Sequence, residues 1–197
     1  MIRKLIAWIK SKLSPEKVGA PINKTPLEKA EERLVELNIE LNQSCNPAGL
    51  KLIMEFEGLY LQSYRCPAGV WTVGYGTTIY PNGKKVKHGE KVTKRQAKNY
   101  LQYDLTDAAV AIASHARKCK LTLSPNQFSA LVSFAYNLGT GPVVEKNRTM
   151  GGALRDHDYQ AMAEAFLVYN KARVKGKLKE LKGLTRRRKA ERTLFLS

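Results

Sequence analysis

Two glutamates stand near the end of a short helical stretch, and their positions differ in kind. Leu50, Ile53, Met54 and Glu57 fall at i, i+3, i+4 and i+7, so Glu57 shares a face with apolar residues, while Glu55 points away toward solvent. A carboxylate seldom belongs on an apolar face unless it is paired or functional. A carboxylic acid shielded from water holds its proton closer to neutrality, as a general acid must. The same placement also fits a buried glutamate satisfied by an arginine, and periodicity leaves both readings open.

A strand follows. Val70-Trp71-Thr72-Val73-Gly74-Tyr75 alternates in size. Trp71, Val73, Tyr75 and Thr77 form a bulky face suited to a core. Val70, Thr72, Gly74 and Gly76 form a small one, with two glycines that would let a ligand approach the backbone. Thr72 is thus expected to offer a hydroxyl on an open face, although one threonine in a strand is usually structural.

The elements that must position these residues are legible from their ends. Asn46-Pro47 starts the helix of Glu57 by the cap-plus-proline pattern, and Gly58 stops it. Strands and turns then run past Pro81-Asn82-Gly83. From Thr93 the pattern is helical nearly to the end. Leu101, Leu105, Ala108 and Ile112 form one stripe and Phe128, Leu131, Val132 and Ala135 another, the latter helix capped by Ser124-Pro125. A small β element inserted into a helical protein is an α+β arrangement. Residues 46–197 are expected to form this domain.

Residues 1–45 read as a helical extension and linker. Ile2, Leu5, Ile6, Ile9 and Leu13, interleaved with lysine and arginine, predict a short basic amphipathic helix, suited to packing on the protein's own body or to a membrane surface. Ser14-Pro15 ends it. Thr25-Pro26-Leu27-Glu28 is a capping box, and Leu27, Ala30, Leu34, Leu37 and Leu41 form a seam too short for a convincing coiled coil. Docking on the next domain is the preferred reading, with the chain a monomer.

Composition narrows the function classes. The 197 residues, 43 % hydrophobic and 8 % aromatic, suit a folded globule with an appendage. A net charge of +17 draws the chain to polyanions without choosing among them. Cys45, Cys66 and Cys119 are far apart and read as reduced thiols. With no CxxC and no HExxH, a metal site is not expected. No apolar run reaches the roughly 20 residues of a membrane span, and the first residues lack the centre of a secretory signal. Synthesis in the cytoplasm is the expectation.

The segment Glu57-Gly-Leu-Tyr-Leu-Gln-Ser-Tyr-Arg-Cys66-Pro-Ala-Gly-Val-Trp-Thr72-Val-Gly-Tyr-Gly resembles the signature of the phage lysozymes of glycoside hydrolase family 24: Glu, eight residues, Asp or Cys, five residues, Thr. Gln127 to Gly139 and Gly183 to Leu194 resemble later segments of that family, in the family's order. The resemblance implies a lysozyme-like fold: a lobe with a small three-stranded antiparallel sheet, a helical lobe, and a cleft between them. It implies hydrolysis of the β-1,4 bond between N-acetylmuramic acid and N-acetylglucosamine in peptidoglycan, leading to host lysis without a cofactor. By position Glu57 would protonate the leaving oxygen, while Cys66 and Thr72 would hold or activate the attacking water.

Cys66 stands where many relatives carry aspartate. An ordinary thiol, with a pKa of about 8.5, is mostly neutral at pH 7, though neighbouring Arg65 and the positive field favour thiolate. A water-positioning thiol with inversion and a nucleophilic thiolate with retention both stay open, the first preferred. Thr77 stands where relatives often place a structural histidine.

The run Arg186-Arg187-Arg188-Lys189 suggests a nucleic-acid patch, but Arg187 and Glu191 form an i, i+4 pair that accounts for part of it. Lys171 to Lys182 is richer in unpaired lysine. The basic excess is read as adhesion to anionic wall polymer or a membrane surface, with no specific nucleic acid. Two rivals remain: a degenerate lysozyme-like module that binds anionic wall polymer or nucleic acid without hydrolysis, and a structural role tethered to a virion.

Overall fold

Helix α1, Pro47–Glu57, starts where Asn46 accepts a hydrogen bond from the Gly49 N–H at 2.9 Å, and Pro47 supplies a first residue with no N–H to leave unpaired. It ends at Gly58, whose φ of +73° is open to glycine without strain and whose N–H donates to the Met54 carbonyl at 3.2 Å. Leu50 and Ile53 are buried, Met54 and Glu57 are partly buried and Glu55 is exposed, as the periodicity predicts. The computed structural model describes residues 45–145, 148–174 and 176–197. The helices expected before Cys45 lie outside the described residues.

Strands β1, Tyr60–Arg65, and β2, Trp71–Gly74, pair antiparallel, with Tyr60 opposite Gly74, Tyr64 opposite Thr72 and Arg65 opposite Trp71. The expected three-stranded sheet is not formed: this sheet has two strands. Gly74 and Gly76, with φ of +68° and +112°, turn the chain at the end of β2, and Pro81-Asn82-Gly83 turns it again. The following segment forms isolated bridges in place of a third strand, Gln62 to Lys91, Val73 to Thr77 and Ile79 to Lys85.

The helical part comprises α2, Lys94–Asp104, α3, Thr106–Lys118, α4, Pro125–Leu138, α5, Gly141–Val144, α6, Thr149–Arg155, α7, Tyr159–Val168, and α8, Lys182–Phe195. Capping boxes at Thr93/Gln96 and Ser124/Gln127 start α2 and α4. The stripe Leu101, Leu105, Ala108 and Ile112 is buried as expected, but the chain breaks at Leu105 and divides it between α2 and α3. Every residue of α4 from Phe128 to Ala135 is buried, because α1, α3, α5 and α8 pack around it. Phe134 meets Phe166 and Tyr169 edge-on, at 5.2 and 5.1 Å between ring centroids.

One stretch expected to be helical is a hairpin instead. Strands β3, Lys171–Val174, and β4, Lys177–Glu180, pair antiparallel around Gly176 at φ +77°. Lys-Ala-Arg-Val and Lys-Leu-Lys-Glu alternate in polarity on either side of that glycine, a period of two that the lysine content conceals.

Candidate active site

Glu57 leaves the last turn of α1 toward α8. Its Oε1 lies 2.7 Å from Nη1 of Arg187, whose side chain is 5 % exposed against 23 % for that of Glu57. Arg187 is itself held by two further contacts, Nε to Glu191 Oε1 at 3.1 Å and Nη2 to the Ser133 carbonyl at 3.3 Å. Glu191, fully buried, also accepts from Ser133 Oγ at 2.7 Å and from Arg188 Nη2 at 3.0 Å. Arg188, buried to the same degree, reaches the Asn137 side-chain oxygen at 3.0 Å. Burial pushes the Glu191 carboxyl above the ordinary glutamate range, with Arg188, Ser133 and Arg187 pulling the other way. Two arginines thus face two glutamates, and the expected Arg187–Glu191 pair is one link of that network. Glu57 is paired with an arginine, as one of its two readings expected, and keeps an edge open to solvent.

Helix α8 is fixed to α1 by more than charge. The Arg186 and Arg187 guanidinium groups lie 5.2 and 5.7 Å from the centre of the Phe56 ring, beside Glu57 in sequence. The carboxyl is therefore held by the packing of α1, α4 and α8 on one another.

Cys66 follows β1 in a tight turn, where its N–H donates to the Val70 carbonyl at 3.0 Å and the Gly69 N–H donates to the Cys66 carbonyl at 2.7 Å. The turn aims backbone N–H groups at the sulfur. The Val70 N–H draws the thiol below its ordinary value most strongly; desolvation opposes it, and Ala68 and the Thr72 hydroxyl add smaller pulls downward. Arg65, the expected source of such a shift, lies 5.3 Å over the Trp71 ring instead. The Thr72 hydroxyl also donates to the Val70 carbonyl at 3.1 Å. One proton cannot serve both acceptors, so it favours sulfur when Cys66 is ionised and the carbonyl when it is not.

Thr72 does not stand on an open face. It is only 3 % exposed, and a Cβ on Gly74 would meet Ala97 of α2 at 3.2 Å. Gly74 serves the packing of α2 on β2. The open edge of the site is at Cys66 and Glu57, both partly exposed.

Two phenols complete the surroundings, neither singled out by the sequence. Tyr64 pairs across the sheet with Thr72, and burial raises its pKa above the ordinary value, followed by the charges of Tyr60, Cys66 and Glu57. Its hydroxyl thus lies within electrostatic reach of both chemical groups. Burial likewise raises Tyr136, with Asp104 and Glu57 adding to the effect and Arg187 opposing it. Both remain neutral donors at pH 7. Where relatives place histidine, buried Thr77 donates to Asp104 Oδ2 at 2.6 Å. Among the described residues no group of three or more His, Cys, Asp or Glu could hold a metal ion.

A helix-end carboxyl braced by a buried arginine thus stands beside a small two-stranded sheet on a helical body. The family model for phage lysozymes matches residues 54–191. The chain is similar to the endolysin of Acyrthosiphon pisum secondary endosymbiont phage 1, 35 % identical over 149 residues, 76 % of this chain and 95 % of that one. It is 34 % identical over 149 residues to the endolysin of Salmonella phage P22, again 76 % and 95 %. Among solved structures, the endolysin from Escherichia coli O157:H7 phage FAHEc1 superposes with a TM-score of 0.67 at 36 % identity, covering 77 % of this chain and 92 % of that one. The chain belongs to the phage lysozyme family.

Proposed function

We propose that this lysozyme cleaves the β-1,4 bond between N-acetylmuramic acid and N-acetylglucosamine in the bacterial cell wall, with Glu57 as its general acid. The observation that carries the reading is the Glu57–Arg187 contact. It holds Oε1 and leaves Oε2 to carry a proton to the glycosidic oxygen at the open edge. As the bond from the anomeric carbon to that oxygen breaks, the proton passes to the departing sugar. A water held by Cys66, whose sulfur the buried Thr72 hydroxyl supports, adds to the anomeric carbon from the opposite face, and its proton goes to the Cys66 thiolate. The lowered thiol pKa supports this base, since a neutral thiol could not take the proton.

The same shift favours a second reading, in which the thiolate attacks the anomeric carbon and a thioglycosyl intermediate is later hydrolysed. The anomer first formed distinguishes the two. Inversion supports the water-positioning role, retention supports the nucleophile, and full activity after alkylation of Cys66 removes the thiol from both.

Residues 46–197 carry the catalysis in this proposal, and residues 1–45 are an extension to that domain. A chain beginning at Asn46 with unchanged activity and stability would contradict a role for the extension. The enzyme acts as a monomer on the wall, and its basic face adheres to the anionic envelope. Among the described residues no helix is long and apolar enough to cross a membrane.

A further inference from the structure

The charge excess is not evenly spread. Residues 171–197 hold eleven Lys or Arg and two Asp or Glu, a net +9 of the chain's +17. The buried network absorbs Arg187 and Arg188, and Arg192 pairs with Glu164 at 2.5 Å. Among the described residues, the cations of the β3–β4 hairpin make no such ion pair. Lys171, Arg173, Lys177 and Lys179 are exposed, and Lys182 and Lys189 of α8 add to them. The hairpin's acid, Glu180, accepts from Thr185 Oγ1 at 2.7 Å.

The hairpin also carries apolar surface that packing does not use. Among the large hydrophobic residues described as exposed, Leu178 and Val168 stand highest, at 66 % and 58 %. Leu178 shares one face of the hairpin with its cross-strand partner Arg173 and with Lys171, while Lys177 and Lys179 project from the other face. Val168 ends α7, three residues before β3. Strand β4 is exposed at every position, so its side chains are not there to complete the core. A two-stranded hairpin standing apart from other sheets gains little stability by itself.

We propose that the β3–β4 hairpin is a docking element for an anionic phospholipid surface. Cations at this density on both faces meet lipid phosphates, and Leu178, beside Arg173 and Lys171, enters the boundary between headgroups and acyl chains. A soluble polyanion would satisfy the lysines but give Leu178 and Val168 nothing to bury against. That difference selects lipid over wall polymer. The element extends the electrostatic part of the proposed function and is independent of Glu57.

Co-sedimentation of the full chain with vesicles of phosphatidylcholine and phosphatidylglycerol in equal parts tests this. The triple change Lys177→Gln, Leu178→Ser and Lys179→Gln should lower binding roughly tenfold or more. The charge-matched control Lys94→Gln with Lys98→Gln, on exposed positions of α2, should lower it far less. Leu178→Ser alone should weaken vesicle binding and leave binding to soluble polyphosphate unchanged. Clearing of purified peptidoglycan should be intact in every variant, which separates failure of this element from failure of the hydrolase. Equal losses in the triple variant and the control would reduce the effect to net charge and overturn the proposal. Unchanged vesicle binding by Leu178→Ser would assign the hairpin to a polyanion and overturn it equally.

Discussion

At Cys66 the sulfur is tuned by backbone geometry. The turn from Cys66 to Val70 supplies N–H donors that favour thiolate, whereas burial pushes the Cys45 thiol up to about 11 despite a hydrogen bond with Ser129. Timed labelling with iodoacetamide at neutral pH should therefore modify Cys66 first and Cys45 far more slowly, as read by peptide mass spectrometry. Comparable rates would remove the activated thiol from the account. The spacing from Glu57 to Cys66 and Thr72 was legible in the sequence because all three lie within one short stretch. Their support was not. Arg187 lies 130 residues from Glu57, and no local periodicity joins them. Thr72 was misplaced because alternation tells which side of a strand a residue takes, not what covers that side; Ala97 of α2 decided that.

The elements behave as their ends dictate, and the helix starts at Asn46, Thr93 and Ser124 each match a side chain that captures a free N–H. The β3–β4 hairpin escaped because alternating lysine satisfies no hydrophobic template. Helix α8 depends most on a single residue. Removing the Glu191 charge leaves Arg187 and Arg188 buried without their shared partner, so Glu191→Gln should cost about 3–5 kcal/mol in urea unfolding. A loss too small to measure would mean that the network is not a brace. Helix α2 offers a pH test through Asp104, whose carboxyl burial raises above the ordinary range while Thr77 pulls it back. The folded chain then keeps this proton to higher pH than the unfolded chain. Stability from this group is greatest below the ordinary aspartate value of about 3.9 and falls as pH rises through the window above it. Asp104→Asn keeps an acceptor for Thr77 and removes that fall. Its melting temperature should exceed the wild type's at pH 7, and the gap should close toward pH 3. A variant less stable at pH 7 would contradict the burial argument.

On the scale of the whole molecule, balanced and unbalanced charges fall on different residues. Glu57, Arg187, Glu191 and Arg188 form a balanced and largely buried set of charges, whereas the hairpin concentrates unbalanced lysine at the surface. Salt should separate them. Screening lengths near 10 Å at 0.1 M weaken exposed charges much more than buried pairs. Clearing of whole envelopes should fall steeply with added salt, while thermal unfolding in the same buffers shifts little. Parallel loss of both would place the salt-sensitive charges inside the fold.

The central claim is that a proton leaves Glu57 for the sugar bridge, and turbidity clearing of purified peptidoglycan by Glu57→Gln measures it. A glutamine keeps the size of the side chain and an acceptor for Arg187 but has no acid proton to give. Clearing should drop by about 10²–10⁴-fold, with the folded state retained by circular dichroism. Clearing at the wild-type rate would assign the acid to another residue and overturn the mechanism.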